Sequence, residues 1–299
     1  MVFHYGYIMV TYSYETGYSA AEFLPFEGEL YTDPWWKRVS PHLTKEGRVL
    51  VQTALTQTTA KLGEKERERF EEALRALRTP SKQQVDWLKA TAKKGKGGEV
   101  RKAAWQKLCP HNLAGASFWT PVASPTIEIV DILICHPETG GQINWRDLEF
   151  PVVVKFGRSV FIGGADFRDA KFVGGANFKE ACFAGKTSFQ KARFLGETDF
   201  DTAWFMAKAS FRDTRFMGKV IFLNAVFAGK AVFSSARFAG FGRFFWTRFA
   251  DTAVFLNVRF AGGGRLLGCV FCGQDFFSES TFFRQTELCG CRFCGHGYV

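Results

Sequence analysis

The chain has 299 residues, of which 46% are hydrophobic and 23% charged, and its formal net charge is +10. This composition excludes a wholly disordered chain, because such chains hold too few apolar residues to build a core. No stretch reaches the roughly 18 uninterrupted apolar residues of a membrane span, and no secretory signal is visible at the N-terminus. We therefore expect a cytoplasmic protein of about one to three domains.

Residues 1–108 predict a mainly α-helical domain with an aromatic-rich N-terminal segment. Aromatic residues alternate in part over residues 1–36, which favours a strand or hairpin there. Thr44 is a capping residue, and the segments after it combine strong helix formers with charges spaced i,i+4. A plain helical bundle is favoured over a DNA-binding helix-turn-helix. The predicted helices cover residues 44–62, 64–78, 81–94 and 99–108.

Residues 109–144 predict a connector and a capping strand. A loop runs to residue 126, and the apolar run over 127–135 is typical of a buried strand. We expect this strand to begin the repeat region that follows it or to cover its first coil.

Residues 145–299 carry Phe at a fixed spacing. Of the 34 Phe residues, 29 follow residue 144, at intervals that alternate between five and six. A helical period of 3.6 residues does not keep this spacing on one face, whereas short strands joined by corners do. One interval of five and one of six residues together are too short for a coil that encloses a core of Phe side chains. We therefore predict four-sided coils that each span two such pairs of intervals, a spacing called the doubled period below. Gly at every second corner, as at Gly174 and Gly196, is expected to supply a positive φ.

The segment GADFRDAKFVGGANFKEACF, residues 164–183, resembles the Phe-centred repeats of the pentapeptide-repeat family. The resemblance covers about half of the chain and implies a right-handed quadrilateral β-helix with the central residues stacked inside. The alternation of five and six makes each coil longer than a coil of strict pentapeptides. We therefore expect an α+β protein: a mainly helical N-terminal domain, then a right-handed quadrilateral β-helix of about seven coils over residues 145–299.

One outward row of the predicted solenoid is basic in five successive coils, and the opposite row is mostly apolar. This basic row is a candidate binding site for an anionic partner, either a protein, which we favour, or nucleic acid. The alternative is a solubilising face. The basic row consists of Lys171, Arg193, Arg215, Arg237 and Arg259.

A second candidate surface lies toward the C-terminus, where polar outward positions become apolar. A contiguous exposed apolar patch usually marks an interface, so we expect a homodimer or a docked partner here. The alternative is that the N-terminal half covers it. This apolar patch consists of Ile221, Leu223, Phe245, Trp246 and Leu267.

The C-terminal cysteines have the spacing of a four-Cys zinc site, Cys269-x2-Cys272 and Cys291-x2-Cys294. The two pairs are one coil apart, so the repeat itself accounts for them, and we predict no metal site. Whether they form disulfides stays open. No catalytic motif or cofactor motif is recognised.

We therefore expect a non-enzymatic interaction scaffold whose rigid β-helix docks a macromolecular partner through its side faces. The family resemblance implies an alternative partner, DNA gyrase or another topoisomerase, as for quinolone-resistance proteins that resemble DNA in shape and charge. Residues 145–299 carry 21 basic and 13 acidic residues, a net +8, which disfavours that mimicry. A third alternative is an enzyme or nucleic-acid-binding domain in residues 1–144, with the β-helix as an address module.

Overall fold

The computed structural model describes residues 34–92, 126–136, 140–278, 280–282, 287–294 and 297–298. Within these ranges four α-helices precede 31 short β-strands, which confirms the expected α+β layout. None of the helices described is long and apolar enough to cross a membrane. The helix predicted over 99–108 and the strand or hairpin predicted before Pro34 lie outside the described residues.

The helices form where the local signals are strongest. Thr44 caps α2, since its Oγ1 accepts a hydrogen bond of 3.1 Å from the amide of Gly47. Ser81 and Gln84 cap α4 reciprocally, at 2.8 and 3.2 Å. The expectation of a strand is wrong for Trp35 and Trp36, which lie in a helix that starts at a proline. The helices are α1 (Pro34–Val39), α2 (Lys45–Thr59), α3 (Glu64–Arg75) and α4 (Lys82–Ala92).

The strands form four parallel sheets, here called A to D, which make the four sides of a solenoid. Sheet A contains β1 (Thr126–Glu128), β5 (Val153–Lys155), β9 (Ala176–Asn177), β13 (Thr198–Asp199), β17 (Val220–Ile221), β21 (Gly242–Phe245), β25 (Gly264–Leu267) and β29 (Glu287–Cys289). Sheet B contains β2 (Leu133–Ile134), β6 (Val160–Phe161), β10 (Cys182–Phe183), β14 (Trp204–Phe205), β18 (Val226–Phe227), β22 (Arg248–Phe249), β26 (Val270–Phe271) and β30 (Arg292–Phe293).

The other two sides are built in the same way. Sheet C contains β3 (Ile143–Asn144), β7 (Ala165–Asp166), β11 (Thr187–Ser188), β15 (Ala209–Ser210), β19 (Ala231–Val232), β23 (Ala253–Leu256), β27 (Asp275–Ser278) and β31 (Gly297–Tyr298). Sheet D contains β4 (Glu149–Phe150), β8 (Lys171–Phe172), β12 (Arg193–Phe194), β16 (Arg215–Phe216), β20 (Arg237–Phe238), β24 (Arg259–Phe260) and β28 (Thr281–Phe282).

The register of the sheets gives the coil length. Phe183 pairs with Phe205, which lies one doubled period later in the chain, as the sequence predicts. The first coil is longer than the others. Leu133 pairs with Val160, whereas one doubled period after Leu133 would end at Lys155. The apolar run over 127–135 forms two short strands on adjacent sides, β1 and β2, instead of one strand. The solenoid therefore begins within the predicted connector.

The core is four ladders of stacked aromatic rings. A ring in one coil lies nearly parallel to the ring on the same side of the next coil, and rings on adjacent sides meet edge to face or at a tilt of about 50°. Both arrangements suit the aromatic quadrupole, and each buried Phe adds roughly 1.5–3 kcal/mol of apolar burial. Examples of stacked pairs, with their centroid distances, are Phe150–Phe172 at 4.5 Å, Phe161–Phe183 at 4.6 Å, Phe167–Phe189 at 4.7 Å and Phe178–Phe200 at 4.9 Å.

The corners show that glycine has a different role from the one expected. In the five-residue intervals the positive φ belongs to non-glycine residues such as Asp169 (58°) and Thr202 (56°). Most glycines of the six-residue intervals have no positive φ; instead they make room for the preceding coil. A Cβ at Gly218 would lie 2.5 Å from the carbonyl oxygen of Gly196. Close approach between coils is what requires glycine there.

The helices cover two surfaces of the solenoid. Trp87 and Leu88 of α4 close its N-terminal end, packing in the same apolar cluster as Trp145. Helices α1 to α3 lie on sheet B, where their apolar side chains form one cluster with Cys182 and Trp204. The mostly apolar outward row of sheet B is thus a docking surface for the chain's own helices.

Candidate interaction surfaces of the solenoid

The residues of the basic row are directly aligned on sheet D. Lys171, Arg193, Arg215, Arg237 and Arg259 pair in register, one per coil, between Glu149 at one end and Thr281 at the other. Each precedes an inward Phe, so its side chain points outward, and the four arginines are exposed. The structure therefore brings together all five residues that the sequence predicted for this site.

The row differs along its length in how its charge is balanced. Lys171 forms an ion pair of 3.2 Å with Glu149. Within the described part of the chain, the guanidinium groups of the four arginines form no ion pair and no hydrogen bond. The nearby carboxylate of Asp213 instead pairs with Arg212, at 3.7 Å. Four planar groups with fixed positive charge are left free to donate hydrogen bonds to carboxylate or phosphate oxygens.

A groove of about 470 Å³ runs beside the first half of the row. The corner between sheets C and D forms its other wall, where positive φ angles place Asp169, Lys191 and Asp213. Further along, the corner holds Ser235 and Asn257, which carry no charge. The corner positions Ser235 and Asn257 therefore add no carboxylate beside the second half of the row. The groove is lined by Asp169, Lys171, Lys191, Arg193, Asp213 and Arg215.

An apolar row lies parallel to the basic row, on the same side, and was missed in the sequence analysis. Its members follow each inward Phe, so they also point outward. Leu195 is 40% exposed and Met217 is 53% exposed. Reading the position after every inward Phe at the doubled period would have identified these residues in the sequence. This apolar row consists of Val173, Leu195, Met217, Ala239 and Ala261.

A lysine row at the corner between sheets B and C was also missed. Lys186, Lys208 and Lys230 follow one another at one per coil, and all three are exposed. A shallow groove of about 220 Å³ separates Lys186 and Lys208 from Arg168. The guanidinium of Arg168 is neutralised by Asp166, at 2.6 Å, so the basic charge of this groove comes from the lysines.

The structure divides the predicted apolar patch on sheet A. Ile221 pairs with Arg243, so it belongs to a row of mostly polar side chains. Phe245 pairs with Leu267, and Leu223 precedes Phe245 by one coil, so these three form one partly exposed ladder. Among the described helices, α1 to α3 lie on sheet B and α4 lies at the end of the solenoid, and the clusters that they form do not include this ladder. A homodimer through it stays a prediction.

Trp246 occupies the corner next to that ladder and is 63% exposed. Its backbone has a φ of 51°, and its ring lies over Gly268 in the next coil. A Cβ at Gly268 would come within 2.6 Å of the indole Cδ1, so this glycine is what allows the ring to lie there. Trp246 is thus held in place by the coil below it while most of its surface stays in solvent.

The four cysteines do not converge. Cys269 and Cys291 point inward, where their thiols donate to the carbonyls of Phe244 (2.9 Å) and Leu266 (3.3 Å). Thr214 and Thr247 donate in the same way, so these cysteines replace a small hydroxyl residue. Burial raises the pKa of Cys272, which lies outside the core, on sheet B. No cluster of metal-ligating side chains occurs among the residues that the structure describes.

Comparison of the chain with family models, with curated proteins and with solved structures finds no match.

Proposed function

We propose that this chain is a pentapeptide-repeat protein that acts as a non-enzymatic interaction scaffold, docking an acidic protein partner on the basic row of sheet D. The regular Phe-rich coils, four strands each, support the family assignment. The observation that carries the function is the row of exposed arginines without ion-pair partners in the described part of the chain.

Stacked like charges support a binding role because they work against the fold. Adjacent strands lie about 4.8 Å apart, and like charges directly opposite one another destabilise a sheet. Elsewhere this solenoid pairs such charges between coils, as in Lys155 with Glu128 (2.9 Å) and Lys219 with Glu197 (3.0 Å). Among the described residues, the four arginines of the basic row have no such partner. An acidic partner would supply the missing counter-charges and gain association rate from the field of the row.

The charge of the solenoid argues against imitation of DNA at a topoisomerase. A surface that replaces DNA must be anionic, whereas residues 145–299 carry a net +8. The described helices also favour a scaffold over a separate catalytic domain, since most of their apolar side chains are buried against sheet B and the end of the solenoid. The cytoplasmic location stays a prediction.

The test is binding of a short fluorescent poly-glutamate peptide to the full chain, measured by anisotropy over a range of salt concentrations. The variant Arg193→Glu/Arg215→Glu/Arg237→Glu should weaken binding by about tenfold or more and flatten its salt dependence. A matched variant, Lys208→Glu/Arg243→Glu/Arg248→Glu, removes the same charge from other sides and should retain most of the binding.

Equal losses in the two variants would mean that only the net charge matters, and the proposal would fail. A duplex DNA of similar charge serves as the competing probe. If DNA binds through the row much more tightly than poly-glutamate, the partner is nucleic acid and the protein-docking proposal is wrong.

A further inference from the structure

We infer that the occupant of sheet D is an amphipathic α-helix with an acidic stripe beside an apolar stripe. This inference rests on the proposed function and names the kind of partner that the same surface fits. It depends on the apolar row, which a purely electrostatic surface would not need.

The two rows of sheet D offer two kinds of contact at a fixed separation. Arg193 and Leu195 flank the inward Phe194, and Arg215 and Met217 flank Phe216, so each pair projects on the same side of the strand. Residues two apart along a strand are separated by about 6.6 Å. A stripe of guanidinium groups thus runs parallel to a stripe of exposed aliphatic side chains. A partner that satisfies both must carry acidic and apolar side chains in adjacent lines.

The spacing along the rows suits a helix. Neighbouring arginines are about 4.8 Å apart, and residues on one stripe of an α-helix repeat about every 5.4 Å. Over the three steps from Arg193 to Arg259 the difference grows to only about 2 Å, which long side chains absorb. One helix of about four turns can therefore place an acidic side chain opposite each of the four arginines.

Sheet B shows how a side of this solenoid receives helices. There Leu55 of α2 and Phe70 of α3 belong to the same apolar cluster as Trp204, an outward residue. The guanidinium carbon of Arg69 lies 4.6 Å from the centre of the Trp204 ring. Sheet D is built from the same kind of parallel strands. On sheet D, however, the charged groups lie on the solenoid, whereas on sheet B the charged Arg69 lies on the helix. The occupant of sheet D should accordingly contribute the acids.

The chain's own acidic helix is not this occupant. Helix α3 has the sequence EKERERFEEALR, but its apolar side chains Phe70 and Leu74 are fully buried in the cluster on sheet B. It has no apolar stripe left to offer to Leu195 and Met217. The other described helices are also packed elsewhere, on sheet B or at the end of the solenoid, and we assign the occupant to another protein.

The experiment compares two synthetic peptides of identical composition and about five helical turns. One places Glu on a stripe and Leu on the adjacent stripe, and the other scrambles that order. The full chain should bind the ordered peptide about tenfold more tightly than the scrambled one, and circular dichroism should show the peptide gain helix on binding. Equal affinity for the two peptides would overturn the inference.

A pair of variants tests the apolar row directly. Leu195→Ser/Met217→Ser should weaken binding of the ordered peptide by about tenfold, because two exposed aliphatic contacts are lost. Leu256→Ser/Val49→Ser changes two exposed aliphatic residues elsewhere and should have no effect. If the first variant binds the ordered peptide as well as the wild type does, the inference is wrong.

The same variants separate this inference from the proposed function. Poly-glutamate binding should be unchanged in Leu195→Ser/Met217→Ser, since it uses only the arginines. If poly-glutamate binds through the row while the ordered peptide has no advantage, the docking function stands and the helical partner is rejected. If neither probe depends on the arginines, both proposals fail.

Discussion

The indole nitrogen of Trp145 donates a hydrogen bond of 3.0 Å to the hydroxyl oxygen of Thr91, and both residues are fully buried. Trp145 is the first inward aromatic residue of the repeat, and Thr91 lies in the last turn of α4. The bond therefore joins the helical part to the first coil at the point where a solenoid would otherwise expose its core. The cap that α4 forms over the first coil thus includes a specific hydrogen bond as well as apolar packing.

Replacing Thr91 with Val should destabilise the chain by about 1–3 kcal/mol, because the indole N–H then stays buried without an acceptor. Chemical denaturation with guanidinium chloride measures this change. Thr59→Val is the matched control: Thr59 is also buried, but its hydroxyl bonds only to carbonyls of its own helix. Similar losses in the two variants would contradict the capping role of the Trp145–Thr91 bond.

Replacing Phe211 with Asp should unfold the solenoid. Phe211 is fully buried and stacks on Phe189 at 5.0 Å and on Phe233 at 4.8 Å, so the carboxylate would have no partner. Phe211→Ala should lower the free energy of unfolding by about 3–5 kcal/mol and leave a folded chain. Circular dichroism distinguishes the two, with Arg212→Ser as an exposed control. An unchanged spectrum for Phe211→Asp would rule out the ring ladders.

Stability should fall in mild acid because of His42. Burial lowers the pKa of its imidazole from 6.5 to about 4, and Lys89 and Arg48 nearby act in the same direction. The unfolded chain therefore binds more protons than the folded chain between these values. The contribution of neutral His42 to the free energy of unfolding is complete above pH 6.5. As the pH falls toward 4, the free energy of unfolding decreases by about 3 kcal/mol.

Denaturation at a series of pH values, with wild type and His42→Leu compared at each, measures this effect. The difference in stability between the two proteins should change across pH 4 to 6.5 and stay constant above it. A constant difference over the whole range would mean that His42 titrates normally in the folded chain.

Oxidation should join Cys272 to Cys294. The strands β26 and β30 pair in register, so these residues, each one place beyond its strand, face each other on sheet B. The strand spacing of about 4.8 Å lies within the Cα separations that a disulfide accepts. Treatment with a mild oxidant in slightly alkaline buffer should remove two hydrogens, and peptide mapping should find the bridge. Cys294→Ser should abolish it. Pairing of Cys272 with Cys289 instead would contradict the register.

The double variant Phe245→Glu/Trp246→Ser tests the homodimer predicted at the apolar patch. If the ladder of Leu223, Phe245 and Leu267 is the interface, light scattering should show a lower mass for the variant than for the wild type. Leu256→Ser, an exposed position on sheet C, is the control. An unchanged mass would refute this interface.

The solenoid could be predicted in detail because one constraint governs each position. A large inward side chain on each side of each coil, most often Phe, fixes the register, and the register then places Arg193 beside Arg215 and Cys269 beside Cys291. The same period also held the apolar row and the lysine row, which needed only to be read at other offsets. The sequence was thus sufficient wherever the repeat itself carries the geometry.

The features that the sequence did not predict depend on contacts between distant segments of the chain. The apolar outward row of sheet B was visible in the sequence, but nothing local says that α2 and α3 cover it or that α4 closes the end. Glycine at the corners was expected for the wrong reason, since Gly218 is required by the backbone of the coil before it and not by its own φ. Trp35 and Trp36 were misread because aromatic residues suit both strands and buried helices.

The alternation of five and six residues has a consequence for how such a gene can lengthen or shorten. Removing four successive strands deletes one whole coil and leaves each later side chain on its own side. Removing only two strands keeps the Phe spacing and the core intact, yet turns everything downstream by half a turn. Sheets B and D would then exchange their outward residues, so arginines would meet the helices. Viable changes in length should therefore occur in whole coils, a constraint imposed by the surface and not by the core.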